Sequence, residues 1–374
     1  MTKSSLSTNS PASHRRWIGL AAGCAALVSL TAGALPAAAA DGAGPAPDAA
    51  AGAEVRVRLD EAALQGLMVP DKVASGTMAR VSAPGVRWTG VTGGLSQDPA
   101  ASFRIGSVTK LFTSTVVLQL VAEGRFTLDT PVQRILPGTL PAHWAPITVG
   151  QLLSHTSGLG RPCVAPENPQ APTPAAVVAA VTDPACPAPE YPVTRQQYNG
   201  INHFLAGMVI EKATGRSYAD EVQRRIVRPL GLRHTYLPAA GDTSMPAPSL
   251  AAPSEVEPWA WAEGGMISNA PDLERFLGAL LRGRLLPPAQ QRELFAMPAL
   301  AQGARDPMSR AGLLRAELPD GTVVWGKTGS MEPYTSGLFG TADGRRVLTY
   351  AYTGVTRDPE VQRTRALDLV AAAF

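Results

Sequence analysis

Phe103-Arg104-Ile105-Gly106-Ser107-Val108-Thr109-Lys110 decides how this chain of 374 residues is read. Lysine is rare in it. Of 33 basic residues only five are lysine, at positions 3, 72, 110, 212 and 327. Arginine supplies positive charge elsewhere, and arginine keeps its proton in any protein setting, whereas a lysine in a dry pocket can be driven toward the neutral amine. Lys110 closes the one S-x-x-K in the chain, and Lys327 opens Lys327-Thr328-Gly329. A serine hydroxyl is a weak nucleophile until a base stands beside it. Residues three apart share one face of a helix, so Ser107 in a first turn and Lys110 one turn on can meet. Val108, Leu111, Phe112, Val116, Val117 and Leu118 surround the pair in sequence. Such neighbours predict a desolvated lysine of lowered pKa, suited to taking a proton. The same four residues also fit a serine N-cap followed by a lysine that snorkels to solvent.

Outward from this stretch, periodicity and punctuation divide the chain. Residues 56–68 read as a helix. Residues 75–82 and 86–91 read as strands joined at Pro84-Gly85, a hairpin. The apolar run 107–123 before Gly124 reads as a buried helix with a glycine stop. Further helices are expected at 148–154, 202–213, 217–229, 271–283, 288–296 and 358–373, and strands at 322–326, 335–341 and 345–353. Two proline-rich stretches, 161–192 and 237–258, interrupt the helical part; the first reads as an ordered loop with one helical turn. Strands, then helices, then strands and a helix imply a mixed α/β (α+β) fold. Its antiparallel sheet is built from the N- and C-terminal segments and flanked by helices, with a mainly helical lobe inserted.

The N-terminus has the three parts of a secretory signal over residues 1–40: Lys3, Arg15 and Arg16, then the apolar run from Trp17 to Leu30, then Ala38-Ala39-Ala40 before Asp41. The run is too short for a permanent transmembrane helix, so no stable membrane span is expected after the signal is removed. Residues 41–54, rich in Ala, Gly and Pro, read as a disordered leader. Residues 1–40 carry three basic and no acidic residues, so the rest of the chain holds 30 basic against 30 acidic. Nothing in that balance suggests a surface for nucleic acid. Beyond the signal only Cys163 and Cys186 remain. In an exported chain they are expected to pair, adding about 3 kcal/mol in the chain-entropy account. Neither C-x-x-C nor H-E-x-x-H occurs, so no metal or cofactor is implied.

The stretch 103–110 runs on through Gln119-Leu120-Val121, Glu123-Gly124, Leu128-Asp129 and Leu136-Pro137-Gly138. With Leu153-Ser154-His155-Thr156-Ser157-Gly158-Leu159, Gly264-Gly265-Met266-Ile267-Ser268 and Lys327-Thr328-Gly329 in that order, it resembles the serine β-lactamase and D-alanyl-D-alanine carboxypeptidase family. The pairing of S-x-x-K with K-T-G is the established signature of penicillin-recognising enzymes. The likeness covers about 57–373, inside a hydrolase domain of 55–374. That domain divides into a sheet lobe at about 55–106 and 316–374 and a helical lobe at about 107–315.

The resemblance implies these roles. Ser107 is the acylated nucleophile, and Lys110 accepts its proton or stabilises its alkoxide. Tyr198 shuttles protons to and from the leaving group. Lys327 binds a substrate carboxylate and lowers the pKa of Tyr198; Thr328, with Gly329, supports the same carboxylate. The backbone N–H groups of Ser107 and Ser330 form the oxyanion hole. One departure stands out. The family pattern Y-x-N becomes Tyr198-Asn199-Gly200, so glycine occupies the usual asparagine position. Asn199, displaced by one, or Asn202 is left to contact substrate. Lys327 is expected at the start of its strand. His155 is expected to hold a neighbouring loop, and His203 and His234 to be surface or packing residues. Gly215-Arg216-Ser217-Tyr218-Ala219 narrowly misses G-x-S-x-G, and Ser217 reads as an N-cap.

These features describe a secreted serine hydrolase working through an acyl-enzyme, of D-alanyl-D-alanine carboxypeptidase type. β-Lactamase or esterase activity on the same machinery is a second reading, and the missing asparagine favours small acyl groups. The substrate is then a small peptide, an ester or a β-lactam. A non-catalytic binding protein of the same fold is a third reading.

Overall fold

The computed structural model describes residues 59–374 apart from 170, 171, 241, 243 and 252–259. The expected signal and leader, 1–40 and 41–54, lie outside the described residues, as does part of the second proline-rich stretch, at 241, 243 and 252–258.

A hairpin begins the sheet. β1 (Ala74–Ala83) and β2 (Val86–Val91) pair antiparallel around Gly85, whose φ of 73° suits the turn. The two-residue strands β3 (Phe103–Arg104) and β4 (Ile267–Ser268) form a separate ladder. The C-terminal strands are β5 (Leu314–Glu317), β6 (Val323–Met331), β7 (Tyr334–Thr341) and β8 (Val347–Gly354). The six-stranded order is β2-β1-β8-β7-β6-β5, antiparallel throughout. β1 lies directly on β8, with Met78 opposite Ala351, so the two ends of the fold meet in one sheet as the order of elements requires.

Side chains alternate between the two faces of a strand. On one face Ala79, Val81, Phe339, Leu348, Tyr350 and Tyr352 pack with Leu64, Met68, Leu369 and Val370. Those last four come from the helices Glu61–Met68 and Pro359–Ala373, capped at their N-termini by Asp60 and Asp358. On the other face Met78, Leu338, Val347 and Ala351 join the larger core. The helix Ala270–Leu281 packs there against β7 and β8, although its sequence position belongs to the helical lobe. β5 begins at Leu314.

The helix Thr109–Ala122 runs through the middle of the helical lobe, buried on all sides from Thr109 to Leu118. A helix apolar all round has to be covered all round. The helices Ile201–Thr214, Trp261–Gly264 and Pro288–Phe295 cover it. Gly124 ends it with φ of 70°, while Arg125 N reaches Leu120 O at 3.0 Å. Phe112 stacks on Phe276 with ring centroids 3.8 Å apart, tying this helix to the sheet-covering helix.

Local differences have local causes. The 161–192 stretch contains a nine-residue helix, Pro174–Thr182, rather than one turn; Thr173 caps it and Pro174 starts it. Cys163 and Cys186 form a disulfide across that stretch. The 217–229 helix is α-helical from Tyr218 to Val222 and then widens into a π-helical segment, Gln223–Val227. Lys327 sits mid-strand in β6 rather than at its start, because pairing with β7 continues to Met331. Among the described residues no helix is long and apolar enough to cross a membrane.

Phe276→Ala leaves a ring-sized void between the two helices. Its unfolding free energy is expected to fall by about 3–5 kcal/mol in denaturant titration, with Phe276→Leu losing less.

Candidate active site

Ser107 lies in a single 3-10 turn, Gly106–Val108, that feeds the buried helix. The turn is pressed against β6. Gly106 has φ of 51°, and a Cβ there would lie 2.5 Å from the nitrogen of Ser330; a Cβ on Gly329 would lie 2.0 Å from the carbonyl oxygen of Ile105. Two backbones therefore touch with no side chain between them. The contact sets the main chain at Ser107 beside that at Ser330, the pair expected to bind a developing oxyanion.

One turn on from Ser107, Lys110 is 1% exposed. Its Nζ donates to Ser107 Oγ at 2.9 Å, to the main-chain carbonyl of Glu263 at 2.6 Å and to the Glu263 carboxylate. The snorkelling lysine is thus excluded. The expected lowering of its pKa is corrected as well. Burial favours the neutral amine, but the Glu263 carboxylate more than reverses this and holds Lys110 above the ordinary lysine value.

Tyr198 approaches from the loop before helix Ile201–Thr214. Its Oη donates to Ser107 Oγ at 2.6 Å. The residue is 39% exposed, so the cleft opens to solvent along its ring while its hydroxyl points inward to the serine. Lys327 Nζ lies 4.7 Å from the centre of that ring and Lys110 Nζ 5.1 Å. Burial resists ionisation of the phenol, yet the two ammonium groups outweigh it and bring the Tyr198 pKa below that of an ordinary tyrosine. Lys327, 4% exposed, donates to Thr328 O at 3.1 Å. Burial pulls its pKa down, the nearby Lys110 charge adds to this, and Tyr198 acts against it. Thr328 follows in β6, half-buried beside it.

Asn199 is not available to substrate. It is 6% exposed. Its Nδ2 donates to Leu159 O and Gly160 O, both at 2.8 Å, and its Oδ1 accepts from Ile201 N at 3.1 Å. Asn199 is a bracket for the loop, which corrects the expectation that it contacts substrate. Asn202, fully buried, accepts from Ser157 Oγ at 2.6 Å and also faces inward. His155 accepts the Asn199 N–H at Nδ1, 3.2 Å away, and its ring lies 4.7 Å from the Tyr198 ring. Burial, reinforced by Lys110 and Lys327, keeps its pKa well below the ordinary histidine value. A neutral imidazole accepting a backbone proton is the loop-holding role expected of it. His203 is fully buried and stacks on His155, so it is a packing residue. Ser217 accepts from Asp220 N as an N-cap.

Glu263 was not anticipated from the sequence. It closes the run Trp259-Ala260-Trp261-Ala262, and an acidic residue ending an apolar run beside Gly264-Gly265 was the available signal. Among the described residues no group of three His, Cys, Asp or Glu side chains converges as a metal site would.

The serine hydroxyl is thus held between the Lys110 amine and the Tyr198 phenol. The β-lactamase family model matches residues 31–373. The chain belongs to the β-lactamase family. It is a serine hydrolase of that family's fold. A D-stereospecific amidohydrolase from Streptomyces sp. superposes with a TM-score of 0.73 and 32% identity, covering 84% of this chain and 98% of that one. The D-amino acid amidase from Ochrobactrum anthropi SV3 shares the fold, with a TM-score of 0.69, 24% identity and coverage of 84% and 98%. Penicillin-binding protein 4 of Amycolatopsis lactamdurans is 34% identical over 145 residues, 38% of each chain. The teichoic acid D-alanine hydrolase of Staphylococcus aureus is 30% identical over 142 residues, 38% of this chain and 34% of that one. The matched stretch thus spans little more than a third of these last two relatives.

Gly106→Ala forces β6 away from the nucleophile turn. A misplacement on the scale of 1 Å costs on the order of 100-fold, so the variant is expected to lose about that much in the rate of Ser107 acylation while its circular dichroism stays native.

Proposed function

We propose that the protein cleaves amide or peptide bonds whose acyl half is a D-amino acid, with peptides ending in D-alanyl-D-alanine as the reference substrate. The observation that carries this reading is the position of Ser107 Oγ, 2.9 Å from Lys110 Nζ and 2.6 Å from Tyr198 Oη. The Streptomyces amidohydrolase, 32% identical over nearly its whole length, and the Amycolatopsis penicillin-binding protein support the D-configuration and the penicillin-like substrate shape.

The sequence of bonds is as follows. Tyr198, ionised under the influence of two ammonium groups, takes the Ser107 proton as Oγ bonds to the substrate carbonyl carbon. The carbonyl oxygen becomes an oxyanion facing the Ser107 and Ser330 nitrogens. Tyr198 returns the proton to the leaving nitrogen as the carbon–nitrogen bond breaks, leaving an ester on Ser107. Water repeats the cycle, giving its proton to Tyr198 and its oxygen to the acyl carbon, and Ser107 recovers its hydrogen. Lys327 and Thr328 receive the substrate carboxylate. Export to the cell exterior follows from the signal-like residues 1–40 and is supported by the Cys163–Cys186 disulfide.

A second reading has one specific observation in its favour. Position 200 carries no side chain and Asn199 is turned into the loop. A site without that amide ligand suits small substrates, D-amino acid amides or simple esters, over longer peptides. β-Lactams enter this scheme as substrates or as slow acylating agents.

Fluorescent penicillin is expected to label the protein covalently and to leave Ser107→Ala unlabelled. A panel of a D-Ala-D-Ala peptide, D-phenylalanine amide, p-nitrophenyl acetate and nitrocefin then separates the two readings. Absence of any adduct by intact mass would favour a binding protein instead. The pH profile of acylation is expected to be bell-shaped. It rises as Tyr198 loses its proton and falls as Lys327 loses its own, and both limbs lie below the ordinary values for those residues. Tyr198→Phe should remove the rising limb and slow acylation by about 100- to 10,000-fold.

A further inference from the structure

Gly200 and Glu263 compete for one volume. A Cβ on Gly200 would lie 2.9 Å from Glu263 Oε2 and 3.0 Å from its Cδ. A side chain at position 200 would therefore require the Glu263 carboxylate to shift, and glycine there leaves it the place it holds. What the carboxylate does there is defined by its partner. Lys110 Nζ donates to Ser107 Oγ, to Glu263 O and to the Glu263 carboxylate. Three acceptors around one amine nitrogen use three N–H groups, which only the ammonium form has.

The turn that presents Glu263 is built to stay put. Trp261 adopts φ of 30°, a left-handed conformation that costs a residue with a Cβ on the order of 1–3 kcal/mol. Its indole is clamped between Phe204 and Tyr218, with ring centroids 6.1 and 5.3 Å away. It also lies over Gly207, where a Cβ would come within 2.7 Å of the ring. The Tyr218 hydroxyl bonds to Thr113 Oγ1 at 2.8 Å, and Thr113 Oγ1 donates to Ala262 O at 2.7 Å. Glu263 is therefore fixed from both the nucleophile helix and the helix Ile201–Thr214.

We infer that Glu263 is a positioning residue of the acyl-transfer site: it fills the space that a side chain at position 200 would take, and it holds Lys110 as an ammonium, so that Tyr198 and not Lys110 takes the serine proton. The inference rests on the acyl-enzyme reading above. The charged and titratable groups facing the pair are Tyr198 and Lys327 across the cleft and His155 behind Tyr198. Lys110 keeps its three protons through the cycle and stabilises the serine oxygen as a fixed charge. The moving proton passes from Ser107 Oγ to Tyr198 Oη and then to the leaving atom. Removing the Glu263 charge makes Tyr198 easier to ionise and Lys327 easier to deprotonate, so both limbs of the activity profile move to lower pH.

Two experiments test this. In the first, p-nitrophenol release from p-nitrophenyl acetate and the mass of the acetylated protein are followed against pH for the wild type, Glu263→Gln and Ser107→Ala. Glu263→Gln is expected to shift both limbs to lower pH; a profile superimposable on the wild type's overturns the inference. If Ser107→Ala is still acetylated as fast as the wild type, the acyl-enzyme reading falls first. In the second, melting temperatures of Gly200→Asn, Glu263→Ala and Gly200→Asn/Glu263→Ala are compared, a readout independent of substrate. Gly200→Asn is expected to melt well below the wild type, and the double variant to recover most of the loss. A Gly200→Asn protein as stable as the wild type, or a double variant no better than the worse single one, overturns the shared-volume half of the inference.

Discussion

The backbone contact between Gly106 and the end of β6 is the joint on which the site depends. The nucleophile turn and β6 meet at this contact, and Tyr198 reaches the turn from the loop before helix Ile201–Thr214. Lys327 and Ser330 come from β6, and Ser107 from the turn itself. No side chain could mediate their alignment, because a Cβ at Gly106 would meet the Ser330 main chain at 2.5–2.7 Å. Rigid main chain against rigid main chain gives the positional tolerance that acyl transfer needs. The large cores on either side of the sheet exist, from the site's point of view, to keep that joint closed.

Charge is the second constraint. Two ammonium groups, a phenol and a carboxylate share a cleft around one serine oxygen. Two lysines alone would repel each other and would be driven toward neutrality by burial. The carboxylate of Glu263 absorbs the charge of Lys110, and Lys327 is left as the group whose pKa falls. The two lysines are thus separated in behaviour by a single acidic residue. Tyr198, between them, feels both positive charges and is the group whose ionisation they most assist.

Much of this was legible in the sequence because it is local. Pro84-Gly85 announces the hairpin, the run 107–123 with Gly124 announces a buried helix, and the ordered motifs at 107–110, 153–159, 264–268 and 327–329 announce the family. Elements that only pairing defines were not legible. β3 and β4 have two residues each and exist through Phe103 facing Ser268. β6 extends past Gly329 because β7 offers partners as far as Tyr334. The helix Pro174–Thr182 carried its Thr-Pro start signal, but the surrounding prolines masked it. Glu263 was hidden for a different reason. The gap at Gly200 and the carboxylate that fills it are 63 positions apart in the chain, and only the folded backbone makes them neighbours. The same holds for Asn199, whose displacement by one residue reads as a near match but turns its amide into the loop.

The central pairing of β1 with β8 has a consequence for how the molecule comes into being. The first hairpin leaves the ribosome with the strand that will complete its inner edge still unmade. At about 5–20 residues per second, roughly 15–50 s of synthesis separates β1 from β8. Until β8 is made, the inner edge of β1 has no partner strand from this chain, and an unpaired edge is the kind of surface that invites pairing with a stranger. The catalytic joint, which needs β6 in place, cannot close earlier than the sheet. A newborn chain of this kind therefore cannot assemble its site before β6 has been made.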